Sequence, residues 1–393
     1  MQETILARLT LKKGKERPIL QKHHWIYSGA ISTKTPVGDD GIVEVYSSVG
    51  EKLGLALLNG KHSIAAHMVA FGEESLEDAL RSRIQTALSL RKTWFRPQET
   101  NAFRLLNAEG DGIPGLIVDS YANVLVVQIS HPGLEIFKDL LIKLLVEEVE
   151  PRSIYEKSTS YLRKKGGMEE QRSHLYGEVL SEIDVLEYGM TFRVDFIDGQ
   201  KTGFFLDQRE MRHFVRHLSL GKKVLNCFSY TGGFSIAALI GGASFVDSVE
   251  ISNKCGAKTE QNLLLNRINP ERHRFVEADV FHFLKTASWD YDLIILDPPA
   301  FVKKREDVST AFRAYKEMNQ YVMKHMKKGS LLLTCSCSYH VEEALFQNIL
   351  FRAADTAKRN VKIVSKHRMA IDHPISIFHP ESAYLKGFLL AVD

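Results

Sequence analysis

The sequence predicts an α/β protein in which a doubly wound, mostly parallel sheet follows a β-rich domain and a small α+β domain. Three observations lead to this fold class. The chain has 393 residues, more than one ordinary domain holds. Short apolar runs alternate with polar residues in the first 72 positions, and strands then alternate with helices from about residue 200 onward. The predicted domain boundaries are 1–72, 73–187 and 188–393.

Local periodicity predicts the elements of the first two domains. The runs 41–46 and 53–58 alternate as half-buried strands do, with glycine and aspartate around them. Leucine and isoleucine recur at helical spacing over 76–94, which predicts a helix there. The other middle elements are strands near 115–118, 124–130, 153–156 and 190–196, a helix near 134–149 and an exposed loop at 164–172.

The third domain alternates strands and helices along its length. The predicted strands are 223–226, 245–250, 273–278, 291–296, 330–334, 361–366 and 384–392. The predicted helices are 234–240, 254–266, 280–287, 310–326 and 341–357. This alternation indicates a parallel sheet, and ligands of such sheets bind at the carboxyl ends of the strands. Residues that directly follow a strand are therefore the candidates for a site.

Composition places the chain among globular proteins of the cell interior. Hydrophobic residues make up 44% of the chain and charged residues 25%. No apolar run approaches the roughly 18 residues of a membrane-spanning helix, and the first residues lack the apolar region of a secretion signal. These features predict a cytoplasmic protein without a membrane partner.

Cysteine spacing predicts no metal site, and charge clusters predict a polyanionic partner. The four cysteines are Cys227, Cys255, Cys335 and Cys337, and none forms a pair or Cys/His spacing typical of zinc. The net charge of +3 is small, but basic residues cluster at 12–17, 163–166 and 303–305. Such clusters favour nucleic acid, and the segment 161–166 is a candidate RNA-facing loop.

Acidic residues at three successive strand ends predict a nucleoside site. The first strand leads into a turn with Gly232 and Gly233, where the chain lacks the GxGxxG fingerprint of dinucleotide-binding proteins. Glu250 ends the second strand and can accept from ribose hydroxyls, and Asp279 ends the third and can accept from an adenine amino group. With Asp297 at the fourth strand end, this layout resembles class I, Rossmann-like methyltransferases, which bind S-adenosylmethionine on a seven-stranded, mostly parallel sheet.

Four segments resemble the bacterial ribosomal RNA large subunit methyltransferase I family, which methylates C5 of a cytosine. They are Gln200 to Arg209, Phe228 to Ser235, Asp297 to Phe301 and Ser336 to Ser338. Residues 15–30 match the family's N-terminal PUA domain, an RNA-binding fold, and the resemblance extends over essentially the whole chain. It implies large-subunit rRNA as partner and S-adenosylmethionine as cofactor. The implied cofactor-binding residues are Gln208, Phe228, Tyr230, Thr231, Gly232, Gly233, Glu250, Asp279 and Asp297.

The chemistry of cytosine C5 requires an activated ring. A thiolate that adds to C6 makes C5 nucleophilic, and the thiol leaves after a base removes the C5 proton. Cys337, just past a strand end, is favoured as the nucleophile over Cys335, which lies nearer the buried run. Asp297 would hydrogen-bond the cytosine ring. RNA cytosine-5 methyltransferases of another family have a second cysteine where this chain has Ala300, so product release must use another group here. The base that removes the C5 proton is not identified.

Substrate contacts and alternatives complete the interpretation. The rigid Pro298 and Pro299, the ring of Phe301 and the charge of Lys303 are the predicted substrate-binding residues. An acid, two prolines and an aromatic ring also serve methylation of an exocyclic amine, and a related family methylates guanine N7; neither needs a thiol. A further alternative is a non-catalytic RNA-binding or ribosome-assembly factor. A homodimer through β-rich edges is compatible with the pattern.

Overall fold

The computed structural model describes residues 7–34, 41–59, 62–301 and 307–393. The chain divides into two compact units. The N-terminal unit comprises residues up to Leu186, Val194–Leu206 and Asp372–Ser382. The C-terminal unit comprises Glu187–Arg193, Asp207–Ile371 and Ala383–Asp393. None of the helices in these described ranges is both long enough and apolar enough to cross a membrane.

The first sheet of the N-terminal unit is mixed and is formed by the first strands of the chain. Its strands are β1 (Ala7–Leu11), β2 (Trp25–Tyr27), β3 (Ile31–Lys34), β4 (Ile42–Tyr46), β5 (Lys52–Leu58) and β6 (Ile64–Phe71), and helix α1 (Arg17–Leu20) follows β1. Their order is β2-β6-β5-β4-β1-β3. The pair β1/β4 is parallel, and the others are antiparallel. The β-rich start of the chain is thereby confirmed.

A second sheet of the same unit follows helix α2 (Leu76–Trp94). Its elements are β7 (Ala102–Asn107), β8 (Leu116–Tyr121), β9 (Val124–Ile129), α3 (Pro132–Glu135), α4 (Lys138–Val149), β10 (Ser153–Ser158), α5 (Tyr161–Lys165) and β11 (Gln171–Gly177), with strand order β11-β10-β9-β8-β7. A hairpin of β12 (Glu182–Glu187) and β13 (Met190–Asp195) comes next along the chain.

The predicted exposed loop at 164–172 is wrong at both of its ends. Its start belongs to helix α5 and its end to strand β11, which pairs with β10. The physical reason lies in Arg163, whose guanidinium is buried and donates to the Ile129 carbonyl at 3.0 Å and to Glu135 Oε2 at 2.7 Å. A basic run looks solvated in sequence, but this arginine anchors the segment to the unit.

The N-terminal unit has two hydrophobic cores, of which one lies within residues 7–71 and the other is shared by both sheets. Leu55 and Leu57 of the first sheet belong to the same buried cluster as Leu80 of α2 and Leu116 and Leu125 of the second sheet. All five side chains are at most 1% exposed. The two sheets therefore share the burial that stabilises them.

The C-terminal unit is the predicted doubly wound sheet. Its strands are β14 (Lys223–Cys227), β15 (Phe245–Glu250), β16 (His273–Glu277), β17 (Leu293–Leu296), β18 (Ser330–Ser336), β19 (Val361–His367) and β20 (Lys386–Val392). Its helices are α6 (Arg209–Leu218), α7 (Gly233–Ile240), α8 (Asn253–Leu265), α9 (Val280–Thr286), α10 (Val308–His325) and α11 (Glu343–Ala357). Within the described ranges, seven strands have the order β16-β15-β14-β17-β18-β20-β19, and only β20 runs antiparallel to its neighbours.

The topology fixes where a ligand can bind. The chain moves outward from β14 through β15 to β16 and then returns to β17 on the other side of β14. This reversal is the topological switch point at which open α/β sheets bind ligands, outside the carboxyl ends of the strands. Strand β17 is fully buried, which explains its uninterrupted apolar sequence.

Candidate functional site

The loop between β14 and α7 has an unusual backbone that brings it close to α8. Phe228 and Tyr230 have φ of 59° and 48°, and Gly232 has φ of 79°. A Cβ at position 232 would lie 2.6 Å from Cγ2 of the buried Thr259. Asn262 on α8 donates from Nδ2 to the Thr231 carbonyl at 2.9 Å. Gly232 is thus required by helix packing and by its left-handed backbone, and Gly233 begins α7.

Glu250 stands at the end of β15 in a fixed orientation. Its Oε2 accepts from the Tyr230 backbone N–H at 3.1 Å, and its Oε1 accepts from those of Ile251 and Ser252 at 2.9 and 3.2 Å. These three donors hold a half-buried carboxylate beside the glycine loop. Such a preorganised acceptor suits a ribose diol.

Asp279 follows β16 and caps helix α9. Its Oδ1 accepts from the backbone N–H of His282 at 2.9 Å. The side chain is exposed at the same edge of the sheet as Glu250. The structure therefore shows a capping role for Asp279, and its contact with an adenine stays a prediction.

Asp297 and Gln208 form a pair at the end of β17. Gln208 Nε2 donates to both carboxylate oxygens of Asp297 at 2.8 Å. The amide oxygen of Gln208 is buried and has no hydrogen-bond partner among the described residues. Gln208 therefore orients Asp297 and leaves an acceptor for a ligand.

The residues at this edge fit S-adenosylmethionine, the cofactor that the resemblance implies. Besides Gln208 Oε1, the buried oxygens Asn226 Oδ1 and Ser229 Oγ lack partners among the described residues. Both flank the glycine loop, and buried polar atoms of this kind are normally satisfied. A cofactor with an amino group, ribose hydroxyls and an adenine amino group offers the donors that these oxygens and Glu250 accept.

The two cysteines of β18 and its end differ in burial. Cys335 is 0% exposed, and its Sγ lies 3.7 Å from Sδ of Met211. Burial, with the nearby charge of Asp297, raises the pKa of the Cys335 thiol well above its usual range. Cys337 is half-buried, and its Sγ lies 3.7 Å from the carbonyl oxygen of Pro298. The structure thus brings Cys337 next to the Asp297 segment and encloses Cys335 in the core.

The predicted substrate residues lie in the segment that follows Asp297. Pro298 is buried, and Pro299 is exposed. Phe301 is half-buried, with its ring edge-to-face on Tyr315 at 4.7 Å between centroids. Tyr315 in turn shares a 3.0 Å hydrogen bond with the hydroxyl of Ser338, directly after Cys337. Lys303, the remaining predicted substrate residue, lies outside the described residues.

Lys386 is a functional candidate that the sequence reasoning missed. It begins β20 with 7% of its surface exposed, and its Nζ donates to the carbonyls of Ser338 at 2.8 Å and Tyr384 at 2.7 Å. Burial lowers the pKa of Lys386 to about 8, and the negative charge of a Cys337 thiolate opposes this effect. The available signal was a single lysine within the apolar run 385–392.

A group in the N-terminal unit has the spacing of a metal site, but one of its histidines is in the wrong tautomer to bind a metal. His23, His379 and Glu381 have donor atoms within 4.8 Å of one another. The backbone N–H of Trp25 donates to His23 Nδ1 at 3.1 Å, so a neutral ring has its proton on Nε2. That nitrogen lies 3.5 Å from Glu381 Oε1. A histidine binds a metal through the lone pair of a ring nitrogen. In this tautomer, Nε2 of His23 carries a proton and has no lone pair to offer.

Comparison with known proteins agrees with this geometry. A family model described as S-adenosylmethionine-dependent methyltransferase matches residues 159–368, and one described as PUA-like domain matches residues 9–71. A Streptococcus mutans structure described as a putative SAM-dependent methyltransferase shares the fold, with a TM-score of 0.84 and 24% identity over 98% of this chain and 99% of that one.

Two curated relatives are similar over nearly their full length. Both are named ribosomal RNA large subunit methyltransferase I, from Alteromonas mediterranea and from Escherichia coli strain K12. Each is 36% identical to this chain, with 98% of this chain and 99% of the relative covered. The chain is therefore an S-adenosylmethionine-dependent methyltransferase that belongs to the ribosomal RNA large subunit methyltransferase I family.

Proposed function

We propose that this protein transfers a methyl group from S-adenosylmethionine to C5 of a cytosine in large-subunit ribosomal RNA, with Cys337 as the nucleophile. The observation that carries the proposal is the position of the accessible Cys337 thiol, 3.7 Å from the Pro298 carbonyl at the ends of two adjacent parallel strands. The names of the curated relatives support ribosomal RNA as the substrate.

The proposed steps account for each bond that forms and each that breaks. The thiolate of Cys337 forms a bond to C6 of cytosine, and the C5–C6 double bond provides the electron pair with which C5 attacks. S-adenosylmethionine supplies an electrophilic methyl group on a sulfonium and leaves as the neutral thioether. A base then takes the C5 proton, the double bond re-forms and the Cys337 thiolate departs.

Asp297 and Gln208 serve to hold the base. The Asp297 carboxylate, fixed by two hydrogen bonds from Gln208, accepts from the exocyclic amino group of cytosine. A fixed acceptor at this position orients C6 toward a thiol on the neighbouring strand. Gln208 thus acts as a positioning residue as well as a candidate for cofactor contact.

Lys386 supplies positive charge beside the nucleophile. Its ammonium donates to the carbonyl of Ser338, the residue that follows Cys337. A thiolate is the reactive form of cysteine, and a neighbouring cation lowers the pKa of a thiol. We assign to Lys386 the stabilisation of the Cys337 thiolate before addition and after elimination.

Methylation of an exocyclic amine is the second candidate function. The Asp297 carboxylate and the Pro298 carbonyl offer two acceptors at one strand end, as amine methylation requires. That reaction uses no thiol, so the roles of the cysteines separate the two candidates.

Mass spectrometry of nucleosides tests the proposal. Unmodified large-subunit rRNA and assembled subunits are incubated with S-adenosylmethionine and the wild-type protein, Cys337→Ala or the matched control Cys335→Ala. We expect 5-methylcytosine with the wild type and with Cys335→Ala, and none with Cys337→Ala. A methylated amine or purine, or product formation by Cys337→Ala, would overturn the covalent mechanism. Absence of any product with both substrates would overturn the proposed function.

A further inference from the structure

The N-terminal unit contains a cavity with a mixed polar and apolar lining that the methyl-transfer site does not use. Its volume is about 290 Å³. Its walls include Trp25 of β2, His67 of β6, Glu109, His131 and Lys165. This volume lies at the lower end of the roughly 300–1,000 Å³ of small-molecule sites, which suits one planar ring.

A chain of hydrogen bonds fixes the proton positions on one wall. The backbone N–H of Gly133 donates to His131 Nδ1 at 3.1 Å, and His131 Nε2 lies 2.9 Å from His67 Nδ1. Burial lowers the pKa of His131 to about 4 and the pKa of His67 well below its usual range, so both rings are neutral at pH 7. His131 Nε2 is therefore the donor, and His67 keeps its own proton on Nε2.

Glu109 adds hydrogen-bond acceptors to the lining of the cavity. This residue follows β7 and lines the cavity together with Trp25. Burial raises the pKa of Glu109 above its usual value, and the backbone N–H of Glu109 and the side chain of Trp25 offset this shift only in part. The cavity thus combines the carboxyl group of Glu109, an imidazole donor and an aromatic ring.

The rim of the cavity carries a cation from the basic segment 161–166. Arg163 is buried in contacts within the unit, and Lys164 pairs with Glu170 at 2.6 Å. Lys165 is exposed and lines the cavity. Among the cations of this segment, Lys165 is the one placed to meet a phosphate next to a bound ring.

We propose that this cavity binds one unstacked guanine of the RNA substrate, outside the methyl-transfer site. Guanine presents two adjacent donors, N1–H and the 2-amino group, to which a carboxyl group offers acceptor oxygen, and acceptors that match an imidazole N–H. Proteins recognise single-stranded RNA in this way, by stacking a splayed base on an aromatic ring and bonding its edge. The inference rests on RNA being the substrate, as proposed above.

Binding of short RNAs to the full-length chain tests this site. The probes are heptamers of uridine with a central guanine, adenine or cytosine, and the uridine heptamer itself, titrated by calorimetry without cofactor. We expect the guanine heptamer to bind roughly 10-fold tighter than the others, a difference that one good base contact can provide. Glu109→Gln should remove this preference.

Matched lysine variants separate base from phosphate recognition. Lys165→Met should weaken all four heptamers by a similar factor of about 3 to 10, because a phosphate contact carries no sequence information. Lys164→Met, at the residue next to Lys165 but outside the cavity lining, should change each affinity less than 2-fold. Should Glu109→Gln fail to fold, Gln128→Trp fills the cavity from its wall and should also abolish the guanine preference.

The outcomes distinguish this inference from the proposed function. Equal binding of the four heptamers, or a guanine preference that persists in Glu109→Gln and Gln128→Trp, would overturn the cavity assignment. Formation of 5-methylcytosine is measured separately. A guanine preference without methyl transfer would overturn the proposed function alone, and methyl transfer without the preference would overturn the cavity alone.

Discussion

At the scale of single residues, Lys386 should set the reactivity of Cys337. We expect Lys386→Met to slow alkylation of Cys337 by iodoacetamide at pH 7 about 10-fold, because loss of the ammonium raises the pKa of the thiol. The rate is followed between pH 6 and 10 by mass spectrometry of the peptide containing Cys337. Lys386→Arg keeps the charge and should retain most of the rate. Identical pH profiles for Lys386→Met and the wild type would contradict the role.

The pH dependence of Lys386 has a definite sign. Its pKa of about 8 in the folded protein is lower than that of a free lysine, so the unfolded chain binds more protons between these two values. The buried ammonium therefore opposes folding fully below pH 8, and this cost declines as the pH rises toward about 10.5. The same titration removes the charge beside Cys337, so we expect wild-type and Lys386→Met alkylation rates to converge above pH 9.

Glu250 should contribute to cofactor affinity through its fixed carboxylate. We expect Glu250→Ala to weaken binding of S-adenosylmethionine about 10- to 100-fold, since it removes a charged acceptor worth roughly 1.5–3 kcal/mol. Isothermal titration calorimetry measures this. Glu260→Ala, an exposed acid on α8, is the matched control and should bind as the wild type does. Unchanged affinity in Glu250→Ala would show that Glu250 does not contribute a ribose contact.

Sequence alone predicts which acids reach the sheet edge and leaves their partners open. Glu250 and Asp297 follow apolar runs, so the rule for parallel strands places both at one edge. The alternation of side chains along a strand could not separate Cys335 from Cys337, because residues two apart share a face. Their difference in burial depends on Met211 and β20, which come from distant parts of the chain. The pairs Gln208–Asp297 and Lys386–Ser338 are likewise products of tertiary folding.

At the scale of elements, the turn into α7 should tolerate no side chain at position 232. Gly232 and Gly221 both have positive φ, but a Cβ at 221 meets nothing within 4 Å, whereas one at 232 meets Thr259. We expect Gly221→Ala to lower the free energy of unfolding by about 1–2 kcal/mol, the cost of the left-handed backbone. Gly232→Ala should cost a further 1–3 kcal/mol or so from overpacking.

Denaturant unfolding of both variants checks this expectation, and cofactor titration follows. Thr259 is fully buried and donates its hydroxyl to the Cys255 carbonyl at 2.8 Å, so it has little room to move. We therefore expect weaker cofactor binding in Gly232→Ala and unchanged binding in Gly221→Ala. Equal free energies of unfolding in the two variants would contradict the close approach of the loop to α8.

Element boundaries in the C-terminal unit follow from the sequence to within about two residues for most strands. The predicted strand 245–250 coincides with β15, and 273–278 exceeds β16 by one residue. Both strands are preceded by turn residues, Gly241 and Gly242 before β15 and Asn269 and Pro270 before β16. Local periodicity did not predict that β20 lies between β18 and β19, or that β20 runs antiparallel to both. Pairing depends on where in the sheet the last strand is inserted.

At the scale of the whole molecule, the N-terminal β-rich sheet contributes stability as well as a candidate RNA surface. Ile42, Leu55, Leu57 and Val69 of this sheet are fully or almost fully buried in the core shared with α2 and the second sheet. Burial of one such side chain contributes about 1.5–3 kcal/mol, and whole domains are stable by only about 5–15 kcal/mol. The family model for the PUA-like domain ends at residue 71, but the shared core also includes residues of α2 and of the second sheet, beyond that position.

Removal of residues 1–72 should consequently also unfold the part of the N-terminal unit that remains. We expect a chain of residues 73–393 to bind the dye ANS and to lose the cooperative thermal transition of the N-terminal unit, because Leu80, Leu116 and Leu125 lose their buried partners. Lys165→Met in the full-length chain is the control, since it alters the exposed rim and should leave the transition unchanged. A truncated chain with native-like unfolding and no ANS binding would show that the first sheet folds apart from the second. The contribution of residues 7–71 to RNA affinity is therefore measured with point variants, because a higher KM in the truncated chain would report lost structure together with lost contacts.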